Sequence, residues 1–121
     1  MAAKIMICDD DEGILDLLEL ILTDEGYQTV PELNSLNIAS KVQKEQPDLL
    51  VLDLWMPVLS GDQVLRTLRN NAKTSNLPVL VISASTDGKA IAMNAGASDF
   101  IAKPFDLDLL VGRVKNLLKA A

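Results

Sequence analysis

The chain has 121 residues, with 11 Lys and Arg against 17 Asp and Glu, and a formal charge of −6. One cysteine and no histidine exclude an internal disulfide, a thiolate zinc centre, histidine metal ligands, a Ser-His or Cys-His nucleophile pair and a histidine pH switch. The acidic balance argues against a dedicated nucleic-acid surface, and the absence of a membrane-length apolar run or a signal peptide leads us to expect no membrane contact and a reducing, cytoplasmic setting.

At this length, with 49% apolar residues, one domain over residues 1–121 with a single core is expected. The first element is a strand, Lys-Ile-Met-Ile-Cys at residues 4–8. Ile14, Leu17, Leu18 and Ile21 follow at helical spacing and predict one apolar face, with Gly26 as the stop. Residues 27–30 predict a second strand. Ile38 and Val42 mark a second helix that Pro47 ends. Residues 49–52 (LLVL) form the third strand. Residues 62–69 form the third helix, with Val64, Leu65 and Leu68 inward and Ser60 as its cap. Residues 79–82 (VLVI) are the fourth strand and 89–95 the fourth helix, stopped by Gly96. Residues 100–102 are the fifth strand. Leu107, Leu110, Val111, Val114, Leu117 and Leu118 form the stripe of a fifth helix, capped by Asp106.

The strands are continuously apolar rather than alternating, as in a parallel sheet covered on both faces. Five β-α units in alternation predict an α/β fold, an open doubly wound parallel sheet with right-handed crossovers. No linker, repeat or low-complexity segment interrupts the chain, so no second domain is expected.

In such sheets the binding crevice lies at the carboxyl ends of the strands. The first strand ends in Asp9, Asp10, Asp11 and Glu12, the third in Asp53, the fourth in Ser83 and the fifth in Lys103-Pro104. Any one of these has a plain structural explanation, since an Asp after a strand caps helices and a Lys before Pro sits in solvated loops. Four at the same edge point to a site. Asp9, Asp10 and Asp53 brought together repel one another. A divalent cation relieves that repulsion, and oxygen-only ligands favour Mg²⁺. A phosphate on the metal is then the natural anionic ligand, with Lys103 supplying charge and Ser83 a hydrogen bond. One carboxylate can also attack phosphorus to give an acyl phosphate.

These residues resemble the receiver domain of bacterial two-component response regulators. The matching pieces are Ile7-Cys8-Asp9-Asp10, Leu52-Asp53-Leu54-Trp55-Met56-Pro57 with Gly61 following, Ser83-Ala84, and Lys103-Pro104-Phe105. The resemblance implies a flavodoxin-like (βα)5 fold with strand order 2-1-3-4-5. It implies Asp53 as the phospho-acceptor, which takes its phosphoryl group from a sensor histidine kinase or phosphotransfer protein and catalyses its own transfer and dephosphorylation. It also implies Mg²⁺ bound by Asp10 and Asp53, by Asp9 through water, and by the backbone carbonyl of Trp55. Ser83 and Lys103 would contact the phosphoryl group. Phe100 stands at the aromatic switch position and would move with Ser83, changing the surface of the fourth helix, fifth strand and fifth helix.

Other residues have simpler readings. Asp11 and Glu12 read as acids of a first helical turn, and Cys8 as a small core residue. Trp55 and Ser85 are placed beside the site, where they would tune water access. Lys89, Asp99 and Arg113 match the charges through which winged-helix-class receivers form homodimers, although Leu109 stands where an acid is usual. Two other readings stay open. A phosphatase of the haloacid dehalogenase type would use Asp9 of Asp9-Asp10-Asp11, although Gly13 and the short chain fit it poorly. A receiver-like module would bind proteins without being phosphorylated.

Overall fold

Strands with no polar alternation are stable only where helices cover both faces of their sheet. The computed structural model, which describes residues 2–120, meets that condition. Its strands are β1 (Lys4–Cys8), β2 (Gln28–Glu32), β3 (Leu49–Asp53), β4 (Val79–Ser83) and β5 (Asp99–Ala102). All pairings are parallel, in the order β2-β1-β3-β4-β5. The crossovers are α1 (Glu12–Asp24), α2 (Ile38–Glu45), α3 (Gly61–Arg69), α4 (Gly88–Ala95) and α5 (Leu107–Ala120), with a 3-10 turn at Ser35–Asn37 ahead of α2. This is the flavodoxin-like α/β fold expected.

Alternate residues of each central strand feed opposite layers. Met6, Cys8, Leu50, Leu52, Val79 and Val81 pack with the buried residues of α2, α3 and α4. Ile5, Ile7, Leu49, Val51, Leu80 and Ile82 pack with those of α1 and α5. Helix ends follow the expected stops. Gly26 has a φ of +95°; its N–H donates to the Thr23 carbonyl at 3.0 Å, and that of Tyr27 to the Leu22 carbonyl at 3.1 Å, which closes α1 as a Schellman motif. Ser60 enters α3 mainly through its backbone, whose N–H donates to Oε1 of Gln63 at 3.0 Å. Asp106 accepts from the Asp108 N–H at 2.8 Å.

Some local expectations are corrected. β2 runs through Pro31 to Glu32 rather than stopping at residue 30. It lies at the sheet edge, where a residue without an N–H is tolerated. The fully buried stripe of α1 is Leu15, Leu18 and Leu22, whereas Leu17 of the expected face is exposed. Seven of its residues from 14 to 22 are apolar, so two overlapping stripes compete and contact with the sheet selects one. In α5 only Leu110 and Val114 are fully buried.

One glycine ties this fold to the residues at the strand ends. α3 begins at Gly61, whose N–H donates to the Leu54 carbonyl at 2.6 Å. A Cβ there would collide with the backbone carbonyl of Asp53 and stand 2.8 Å from Cα of Leu54. Because the obstacles are backbone, Gly61→Ala is expected to cost about 1–3 kcal/mol, read as a lower urea midpoint with unchanged slope.

Candidate functional site

The parallel register assembles the site. Cys8 is level with Leu52, so Asp9 and Asp53, the next residues on each strand, leave β1 and β3 at the same height. Asp53 is level with Ile82 and Ser83 with Ala102, which places Ser83 one residue higher and Lys103 one higher again. The Lys103 N–H donates to the Ser83 carbonyl at 2.8 Å. The Lys103–Pro104 peptide is cis.

One carboxylate oxygen each from Asp9, Asp10 and Asp53 falls within 4.8 Å of the others. Asp9 is fully buried and Asp53 nearly so, while Asp10 is exposed. Lys103 Nζ bridges two of them, at 3.1 Å from Oδ2 of Asp9 and 3.2 Å from Oδ1 of Asp53. The other Asp9 oxygen accepts the Asp11 N–H at 2.9 Å. Ser83 is buried beside them, and its Oγ accepts the Ser85 N–H at 3.1 Å. Asp9, Asp10, Asp53, Ser83 and Lys103 therefore meet at one edge, as expected from four separate segments. Trp55 is 49% exposed. Phe100 is half-buried against the α2–α3–α4 layer.

The charges do not balance. Three carboxylates face one ammonium, so full ionisation leaves 3 − 1 = 2 negative charges. Burial, then the Asp9 charge, push the Asp53 carboxyl up to about 7 against the pull of Lys103. Burial works to lower Lys103, but Asp53 and Asp9 outweigh it and hold the ammonium above its ordinary range. The donor set is all oxygen and the deficit is two charges, a fit to a hard divalent cation such as Mg²⁺.

Neighbouring residues take structural parts. Asp11 caps α1, accepting from the Gly13 and Ile14 N–H groups at 2.9 and 3.3 Å. Burial of Cys8 pushes its thiol above the ordinary range, as for an inert core residue. Asp99 pairs with Arg113 within the chain at 2.7 Å. Sequence reading missed two features of the surroundings. Arg69 is half-buried, its Nε donating to the Gly96 carbonyl at 2.8 Å and its Nη1 to the Leu77 carbonyl at 2.7 Å; nothing in a terminal helical arginine signals this. Val58, 82% exposed, has a φ of +72°, an unfavourable place for a β-branched side chain. The Pro57 ahead of it marks a turn but not its handedness.

A doubly wound sheet here carries three aspartates and a lysine at the carboxyl ends of β1, β3 and β5, an oxygen-rich arrangement at the edge where such sheets bind their ligands. The profile of the response regulator receiver domain matches residues 5–115, and the chain belongs to that family. It is 34% identical to the DNA-binding dual master transcriptional regulator RpaA of Synechocystis over 96% of this chain and 49% of that protein. It is 37% identical to the transcriptional regulatory protein PrrA of Mycobacterium tuberculosis over 96% of this chain and 50% of that one. The chain thus spans about half the length of these curated relatives. Among solved structures, a putative response regulator from Chloroflexus aurantiacus superimposes with a TM-score of 0.94 at 31% identity, covering 98% of this chain and 99% of that one. The protein contains a receiver domain of two-component signalling, and the pocket of Asp9, Asp10 and Asp53 is consistent with a phospho-accepting site. That membership replaces the haloacid dehalogenase reading.

A carboxyl raised to about 7 is protonated more readily in the folded protein than in the unfolded chain, so it favours folding at low pH and opposes it once ionised. Asp53→Asn is therefore expected to raise the thermal midpoint above wild type at pH 8, with the gain shrinking towards pH 4; an equal gain at both pH values would contradict the charge-crowding account. Val58→Gly is expected to add about 1 kcal/mol of stability by removing the left-handed strain, measured by urea unfolding.

Proposed function

We propose that Asp53 receives a phosphoryl group from the phosphohistidine of a sensor histidine kinase or phosphotransfer protein. The observation that carries this is the Lys103 ammonium at 3.2 Å from Asp53 and 3.1 Å from Asp9 in the acidic cluster. A carboxylate oxygen of Asp53 attacks phosphorus as the P–N bond of the donor breaks, and the imidazole keeps the electron pair. Such a transfer needs positioning and charge neutralisation more than proton transfer, so a chain with no histidine can carry it out. Lys103 holds an oxygen of the arriving group and Ser83 donates its hydroxyl to another. Asp10 and Asp53, with Asp9 through water and the Trp55 carbonyl, would hold Mg²⁺, which when bound supplies the positive charge that offsets the carboxylates and phosphoryl oxygens. Trp55 and Ser85 would tune water access to the acyl phosphate.

A shallow apolar groove of about 390 Å³ opens beside Lys103, lined by Ile14, Leu17, Ala84, Phe105 and Leu107, and supports docking of the donor next to the acceptor. Ser83 and Phe100 then form the switch. When Ser83 turns towards the phosphoryl group, Phe100 moves with it and the surface of α4, β5 and α5 changes. Residues 1–121 act as one receiver domain in the cytoplasm, with a bacterial kinase as partner and no direct contact with nucleic acid or membrane. Among the described residues no helix is long and apolar enough to cross a membrane. Homodimerisation through the α4–β5–α5 surface on phosphorylation is the finer reading. It is supported by exposed Lys89, Met93 and Leu109, whereas Asp99 already has Arg113 as a partner.

With Mg²⁺ and acetyl phosphate, the wild type is expected to gain one acid-labile phosphoryl group by intact mass, and Asp53→Asn none. Lys103→Met is expected to slow the gain on the order of 10²-fold. Phosphorylation of Asp9 in place of Asp53 would overturn the assignment, and no gain with acetyl phosphate or a cognate kinase would return the chain to a binding module.

A further inference from the structure

The switch pair and the first turn of α4 meet at a residue with no side chain. A Cβ on Gly88 would stand 3.0 Å from both Cβ and Oγ of Ser83 and 3.2 Å from Cε1 of Phe100. Those contacts are tight enough that a neighbour must yield. Hydrogen bonds make a second link. The Gly88 N–H donates to the Ser85 carbonyl at 3.2 Å, and the Ser85 N–H donates to Oγ of Ser83 at 3.1 Å. The first turn of α4 is thus linked to Ser83 by close approach and by a two-step relay.

The other end of α4 is held differently. The helix closes on Gly96, with a φ of +106°, whose carbonyl accepts from Arg69 Nε at 2.8 Å. A Cβ on Gly96 would stand 2.9 Å from Cγ of Arg69, so the arginine stem lies directly against that turn. Arg69 Nη1 is bound to the Leu77 carbonyl just ahead of β4, and Oγ of Ser98 accepts the Val79 N–H at 3.0 Å. The C-terminal end is clamped to α3 and to the start of β4, while the N-terminal end rests on Ser83 and Phe100.

We propose that Gly88 is the positioning residue through which Ser83 and Phe100 act on α4, so that the helix tilts about its Arg69-clamped end. This rests on the switching role proposed above for those two residues. When the Ser83 hydroxyl turns towards a phosphoryl group on Asp53, it gives up the Ser85 N–H and its contact with Gly88. The Phe100 ring edge already borders that space, and Gly88 has no side chain to fill it first, so the ring re-seats there and the first turn of α4 follows. A methyl group at position 88 occupies the space instead. Gly88 takes no part in the chemistry at Asp53, and phosphorylation proceeds without it.

The test uses protein labelled with 4-fluorophenylalanine, which carries two reporters, Phe100 and Phe105, assigned with Phe105→Leu. Mg²⁺ and acetyl phosphate are expected to move the Phe100 ¹⁹F resonance of the wild type. In Gly88→Ala the same gain in mass is expected with the Phe100 resonance unmoved. Gly112→Ala in α5, where an added Cβ meets nothing within 4 Å, is expected to behave as wild type. A shift in Gly88→Ala as large as in the wild type overturns the proposal. Intact mass from the same samples separates the two layers, because no gain in the wild type overturns the phospho-acceptor reading and this inference together. A second measurement needs no variant. Phosphorylation of the wild type should change amide hydrogen exchange at residues 88–91 and leave residues 96–98 as they were. Change at both ends, or at neither, removes the clamped tilt.

Discussion

Three carboxylates around one ammonium, at the edge of a buried sheet, set the terms for the rest of this protein. Asp9 is fully buried and has Lys103 and the Asp11 N–H as partners. Asp53 shares that lysine and its carboxyl is pushed up to about 7. Removing charges from water costs several kcal/mol each unless they are paired, and here the pairing is incomplete by two charges. A deficit of two charges among oxygen donors fits a hard divalent cation. The unbalanced charge sits at one end of the sheet, where the strands give way to loops.

The sheet makes that arrangement affordable. Both faces of β1, β3 and β4 are covered, so the strands are rigid and their ends are fixed relative to one another. Parallel register then converts four sequence positions into a three-dimensional cluster. Asp9 and Asp53 emerge at one level, Ser83 one residue higher and Lys103 higher again. Gly61 lets α3 start against the backbone of Asp53 itself, so the acceptor strand and the helix after it are joined without an intervening side chain. The switching proposed for such a frame would work by exchange of discrete contacts rather than by bending, because close-packed interiors are bistable rather than soft.

Much of this was legible in the residues. Continuous apolar runs announced a doubly covered parallel sheet, and the acids, hydroxyl and lysine after four of the runs marked the site. Where several solutions fitted the pattern, the reading was less complete. α1 offers two overlapping apolar stripes, and Leu17 lies on the exposed one. β2 continues through Pro31 because an edge strand has one unpaired side, a fact of position in the sheet rather than of local preference. Val58 shows the opposite case, a local preference overridden by the closure of its loop.

By itself, the amino-acid sequence determined the class of fold, the number of β-α units, the identity of the clustered side chains and the oxygen-only chemistry, because these depend on periodicity and on residue type. Tertiary structure alone decided the quantities that depend on distance between segments remote in sequence. These are the bridge from Lys103 to two aspartates, the burial that raises Asp53, the clamp by Arg69, and the close approach of Gly88 to Ser83 and Phe100. Lys103 and Asp9 lie 94 residues apart along the chain. No local pattern carries their separation in space, which exists only once parallel strands have aligned their ends.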